Sequence, residues 1–115
     1  MSSARREGVR RELRRNAPRF AALGDETRLT LLTKLCGGSP LSIAQLTESA
    51  TVTRQAVTKH LNVLQAAGLI RGVRQGRERR FQLEPRPLND ARRALENISR
   101  QWDVALARLK SYVEE

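Results

Sequence analysis

Gln55, Thr58, Lys59 and Asn62 recur at spacings that put them on one side of a helix, with Arg54 on its flank and Val57, Leu61 and Leu64 opposite. Such side chains suit hydrogen bonding to nucleic-acid bases. Glutamine and asparagine pair with adenine edges, arginine and lysine with guanine, and threonine with bases or phosphates. A polar helix face is most often simply hydrated, so the pattern gains weight only from what flanks it. Thr53 precedes the helix as a candidate N-cap, and His60 sits among the polar residues. Further along, Arg74, Arg77 and Arg79 crowd the tip of a candidate hairpin, where cations would meet a phosphate backbone or a minor groove. The expected binding residues are therefore Thr53, Arg54, Gln55, Thr58, Lys59, His60, Arg74, Arg77 and Arg79.

The elements that must carry these residues follow from local signals. Val9, Leu13, Ala17 and Phe20 form a one-sided helical stripe, which Pro18 is expected to break near residues 16–17. Residues before Arg6 are expected to fray. Asp25 is a good N-cap for a second helix, with Leu29, Leu32, Leu35 and Cys36 as its inward stripe and Leu31 beside it. Gly37-Gly38-Ser39-Pro40 ends that helix. Ser42 and Gln45 make a capping box that opens a short helix running to about Ser49. A turn of about four residues then leads to the helix after Thr53, which closes at Gly68; the pair reads as a helix-turn-helix. Beyond it, residues 69–74 and 77–83 read as strands of a hairpin turning at Gln75-Gly76.

After Pro85 and Pro87 comes a long periodic segment. Leu88, Ala91, Leu95, Ile98, Trp102, Ala105, Leu109 and Tyr112 alternate steps of three and four, a heptad seam. A small domain cannot cover so long a helix, so the seam is expected to dimerise the chain. Val9, Leu13, Leu88, Leu95, Ile98, Trp102 and Leu109 are the expected dimer contacts, with the N-terminal helix packed alongside. The organisation expected is one domain over 1–115: a basic helix or arm at 1–19, a core at 20–84 and a dimerisation helix at 88–113.

Composition agrees and excludes alternatives. The 115 residues carry a net charge of +10, and 3% are aromatic, too few for base-stacking single-strand binders. Residues 1–19 hold seven arginines against Glu7 and Glu12, and residues 54–80 hold seven cations against Glu78. One cysteine fits a reducing cytoplasm, and neither a membrane span nor a secretory signal is visible. No nucleophile–base pair, phosphate-cradling glycine loop or metal triad points to an enzyme. An RNA-binding basic protein would share the charge, but would need neither the seam nor the ordered helix pair.

Residues 20 to 83 resemble the winged helix-turn-helix of the arsenic-repressor (ArsR/SmtB) family of bacterial regulators. The resemblance rests on Phe20-Ala21-Ala22-Leu23-Gly24-Asp25-Glu26-Thr27-Arg28, on the run from Arg54 to Ile70, and on Arg74-Gln75-Gly76-Arg77. It implies a mainly α fold with a β-hairpin wing, dimerising through its N- and C-terminal helices. It also implies a homodimeric repressor that binds a palindromic operator in double-stranded DNA in the cytoplasm. Metal sensors of the family place cysteines in the helix matching residues 42–49, or Asp and His pairs on the last helix. This chain has no cysteine in the first, and Asp90 and Asp103 without histidine in the second. Zinc or arsenite needs three or four soft or imidazole ligands; Cys36, expected to be buried, and His60 are the only ones present. No metal and no cofactor are expected, and any effector is left unidentified. The Trp102-Asp103…Leu106…Leu109 pattern resembles a subset of the family without metal sites.

Overall fold

The computed structural model describes residues 3–48 and 50–114. Its elements, in chain order, are α1 (Ser3–Leu23), α2 (Glu26–Leu35), β1 (Leu41–Ser42), α3 (Ile43–Thr47), α4 (Arg54–Ala66), β2 (Ile70–Gln75), β3 (Glu78–Leu83) and α5 (Pro85–Glu114). The three strands form one antiparallel sheet in the order β1-β3-β2.

Local chemistry sets most boundaries. The Asp25 carboxylate accepts the Arg28 N–H at 3.1 Å and starts α2. Ser42 Oγ accepts the Gln45 N–H at 3.1 Å while Gln45 Oε1 accepts the Ser42 N–H at 2.9 Å, completing the capping box of α3. Thr53 Oγ1 accepts the Ala56 N–H at 3.1 Å and starts α4. Gly68, at φ +79°, carries the chain out of α4 through a conformation that a side chain would strain.

Several expectations fail for identifiable reasons. Pro18 does not break the first helix, and α1 runs unbroken from Ser3, including residues expected to fray. Pro18 and Arg14 are both exposed, so water can serve the Arg14 carbonyl that loses its helical donor. Leu29 and Cys36 are exposed rather than inward. The buried side of α2 is Leu31, Leu32 and Leu35, and at 100° per residue Leu29 and Cys36 fall on its flank, about a quarter turn or more from the centre of that side. The hairpin turns at Gly76-Arg77, because Gln75 pairs with Glu78. Gly76 has φ +64°. Helix α5 begins at Pro85 rather than Leu88, since prolines are tolerated in a first turn whose N–H groups have no helical partner. Helix α3 ends at Thr47; Ser49, the end expected from sequence, lies outside the described residues.

The core gathers Leu31, Leu32 and Leu35 of α2, Leu46 of α3, Val57, Leu61 and Leu64 of α4, Leu69, Ile70 and Phe81. Ala22 of α1 joins that cluster, and Ala91 and Ala94 of α5 are also buried. Leu88 packs against the cluster as a half-buried residue. Helices α1 and α5 pack together: Asn97 Nδ2 donates to Glu12 at 3.4 Å and Arg19 lies 3.7 Å from Asp90. Asn16 is buried there and fully used, donating to the Glu12 carbonyl and accepting from Arg19, both at 2.8 Å. From residue 99 onward α5 is exposed along its whole length. The radius of gyration is accordingly 18.2 Å, against about 13 Å for a compact chain of this size.

Ser42 is buried and its hydroxyl is the acceptor for an otherwise unpaired N–H. Ser42→Ala is expected to cost about 1–2 kcal/mol. Urea unfolding should show a lower midpoint at an unchanged slope.

Candidate nucleic-acid interface

The candidate recognition surface lies on α4, whose apolar side is anchored by Val57, Leu61 and Leu64 in the core. Lys34 Nζ donates to the carbonyls of Leu46 and Glu48, both at 3.2 Å, and so closes the C-terminal end of α3 just before the turn to α4. With one side of α4 buried, the residues opposite have to face solvent. Arg54, Gln55, Lys59 and Asn62 are exposed and make no side-chain hydrogen bond or ion pair among the described residues. They are brought together as one polar face with all its donors free.

The other expected contacts on this helix have work within the fold. Thr53 is engaged as the N-cap. Thr58 is half-buried and donates to the Arg54 carbonyl at 2.9 Å. His60 stands apart from the polar face. Its Nδ1 lies 3.1 Å from Arg28 Nη1 and 3.7 Å from Asp25 Oδ2, both at the start of α2. The Asp25 carboxyl is held below the usual carboxylate range, first by the Arg28 N–H it accepts, with the His60 and Arg28 charges adding to the effect against partial burial. A depressed carboxyl contributes stability above its unfolded value and loses it only as pH falls through the folded one. The cap therefore stays ionised through mild acid.

The wing divides its arginines in the same way. Arg74 and Arg77 are exposed and unpaired among the described residues. Arg79 Nη2 donates to Gln65 Oε1 of α4 at 2.8 Å, and its guanidinium lies 4.9 Å from the Phe81 ring centre. Gly72 makes this possible, because a Cβ there would stand 3.0 Å from Arg79 Nε. Arg80, a fourth arginine of the same basic tip, binds Glu78 Oε2 through Nε and Nη2 at 3.1 and 3.0 Å. Arg74 and Arg79 are direct cross-strand partners. Like charges so placed repel, a cost that a bound polyanion would remove.

A family model described as a helix-turn-helix domain matches residues 23–73, which span α2 through most of β2. The uncharacterized HTH-type transcriptional regulator YuzN of Bacillus subtilis is 38% identical over 77 residues, covering 62% of this chain and 84% of that protein. The arsenical resistance operon repressor of the same bacterium is 31% identical over 77 residues, covering 67% and 73%. The solved structure of an ArsR-like transcriptional regulator from Rhodococcus shares 44% identity, with a TM-score of 0.71 over 89% of this chain and 93% of that one.

The chain belongs to the ArsR family of winged helix-turn-helix transcriptional regulators.

As an ArsR-family regulator it is mainly helical, with a DNA-binding helix-turn-helix formed by α3 and α4 and a wing formed by the β2–β3 hairpin. The relatives are regulators of transcription rather than enzymes. Among the described residues no helix is long and apolar enough to cross a membrane, and no three His, Cys, Asp or Glu side chains gather as a metal site. The third strand, β1, escaped the sequence reading, because two residues carry no periodicity of their own; pairing of Leu41 with Phe81 and Ser42 with Arg80 defines it.

Replacing Arg74 by glutamate would turn a repulsive cross-strand pair into an attractive one. Arg74→Glu is expected to stabilise the free protein by up to about 1 kcal/mol, read as a raised urea midpoint, even as it weakens binding to DNA.

Proposed function

We propose that this regulator is a homodimeric repressor that binds a palindromic operator, each protomer presenting α4 to one major groove and its wing to the adjoining backbone. The observation that carries the proposal is the uncovered seam of α5. Leu95, Trp102, Leu106, Leu109 and Tyr112 are large apolar side chains left in water along a single helix side, Trp102 at 61% exposure. Ile98 is half-buried beside them, and on α1, which packs along α5, Val9 is half-buried and Leu13 exposed. A second copy would cover this stripe with an identical one, and two-fold symmetry would then set two recognition helices for half-sites about 34 Å apart. Leu88 contributes less to that interface than its place in the heptad suggests, since the protomer's own core already covers part of it.

Within the dimer, residues 20–84 act as the reading head, 88–113 as the dimerisation helix and 1–19 as a basic flank. Arg54, Gln55 and Lys59 read base edges, with Asn62 one turn further on. Arg74 and Arg77 hold phosphates, while Thr53, Thr58 and Arg79 position the helix and wing that present them. The regulator works in the cytoplasm, on the nucleoid, without catalysis. Metal does not control it: Cys36 stands alone on the surface, and the His60 ring is engaged by Arg28 and Asp25. The name of the arsenical relative supports the repressor role and not its ligand.

The DNA assignment is tested on an operator found by footprinting the upstream region of the protein's own gene. Arg54→Ala and Gln55→Ala should each cost about 1–3 kcal/mol on that duplex and little on random DNA. Arg77→Ala should weaken both and reduce the salt slope by about one unit. Equal losses on the two duplexes for Arg54 and Gln55 would contradict base reading. For the seam, Leu95→Glu with Trp102→Glu should sediment as a monomer and bind the operator far more weakly; a persisting dimer would place the interface elsewhere.

A further inference from the structure

We propose that His60 is a positioning residue: its unprotonated Nδ1 accepts from Arg28 and holds the recognition helix in place, so that operator binding weakens in mild acid. The proposal rests on the assignment of α4 as the reading helix. A guanidinium nitrogen can only donate, so an imidazole nitrogen 3.1 Å from Arg28 Nη1 has to be the accepting one. That fixes the tautomer with its proton on Nε2. Arg28 is anchored independently of the ring, since its Nε donates to the Ala22 carbonyl at 2.5 Å, at the end of α1. Its own N–H is held by Asp25. One side chain thus joins the end of α1 and the start of α2 to the middle of α4.

Protonation of His60 removes this link. A cationic ring offers Arg28 no lone pair and sets a second positive charge against it. Among the described residues two charged groups touch the ring, Arg28 from the first turn of α2 and Asp25 from its cap. On α4 itself the neighbouring Lys59 is exposed to solvent, and Arg28 in turn is held by the Ala22 carbonyl of α1. Asp25 at 3.7 Å offsets part of the repulsion, but its Oδ2 already accepts the Arg28 N–H and would be shared between two cations. The domain keeps its core, while α4 loses a hydrogen bond that sets its place against α1 and α2. Affinity for a sequence read by Arg54 and Gln55 on that helix falls accordingly.

The opposite sign belongs to the direct-contact reading. If His60 touched phosphate, protonation would add a cation to the interface and strengthen binding to every duplex. The two readings therefore separate in one titration. Operator and random duplexes are titrated by fluorescence anisotropy at about pH 8 and about pH 5.5, at constant ionic strength. Wild type is compared with His60→Asn, whose side-chain oxygen can accept near the Nδ1 position and does not titrate. The wild type should lose operator affinity by roughly tenfold in acid, the worth of about one charge-assisted hydrogen bond, with random DNA little changed. His60→Asn should give a flat profile, whatever its affinity at the higher pH. A rise in acid on both duplexes, or the same profile in both proteins, overturns the proposal.

A second measurement needs no variant. His60 is the only histidine in the chain, so the imidazole nitrogen resonances of the labelled protein are unambiguous. Nδ1 should appear unprotonated and Nε2 protonated at about pH 8; the reverse tautomer overturns the proposal even if the variant fails to fold. Failure of the wild type to bind any duplex would instead strike at the DNA assignment, and the tautomer measurement would still decide whether the Arg28–His60 link exists.

Discussion

Arg28 is the constraint on which the reading helix depends. Its guanidinium reaches the last turn of α1 through the Ala22 carbonyl and the middle of α4 through His60, while its backbone is pinned by Asp25. Val57, Leu61 and Leu64 anchor α4 in the core through apolar contacts, which carry no direction of their own. Hydrogen bonds are directional, and this group of them fixes the rotation of α4 about its axis. Rotation is what decides which side chains face a groove. A tie made on the inner side of the helix thus governs the chemistry offered on the outer one.

A similar division of labour runs through the arginines. Sequence shows a cationic chain and invites the view that every arginine waits for a phosphate. In the structure Arg19 serves the α1–α5 contact, Arg79 links the wing to α4, Arg80 pairs with Glu78, and Arg71 pairs with Glu84 at 3.1 Å. Arg54, Arg74 and Arg77 keep their donors free. The guanidinium is well suited to both tasks, because a planar fork orders a neighbour as readily as it binds an anion.

How much was legible in the sequence depended on whether the deciding contact was local. Asp25, Ser42 with Gln45, Thr53 and Gly68 act within a few residues of themselves, so their caps and turns could be read directly. Pro18 misled because its local cost is met by exposure, which only packing reveals. Leu29 and Cys36 misled because a stripe of leucines on α2 can be phased in more than one way until its neighbours choose. For the binding surface, the helix and the polar face of α4 were readable from residue spacing. The partners of His60 and Arg79 were not, being 32 and 14 residues away in the chain.

The long free end of α5 has a consequence for the chain as a physical object. Residues 99–114 are exposed throughout and take little support from the core, and an isolated helix of that length is marginal in water. Its order must come from whatever covers its apolar side. If the cover is a second copy, as proposed, helix content depends on protein concentration, and dilution would loosen the last turns before disturbing the core. In a growing cell, where dilution is continuous, the ordered fraction of this helix would then rise and fall with the amount of the protein.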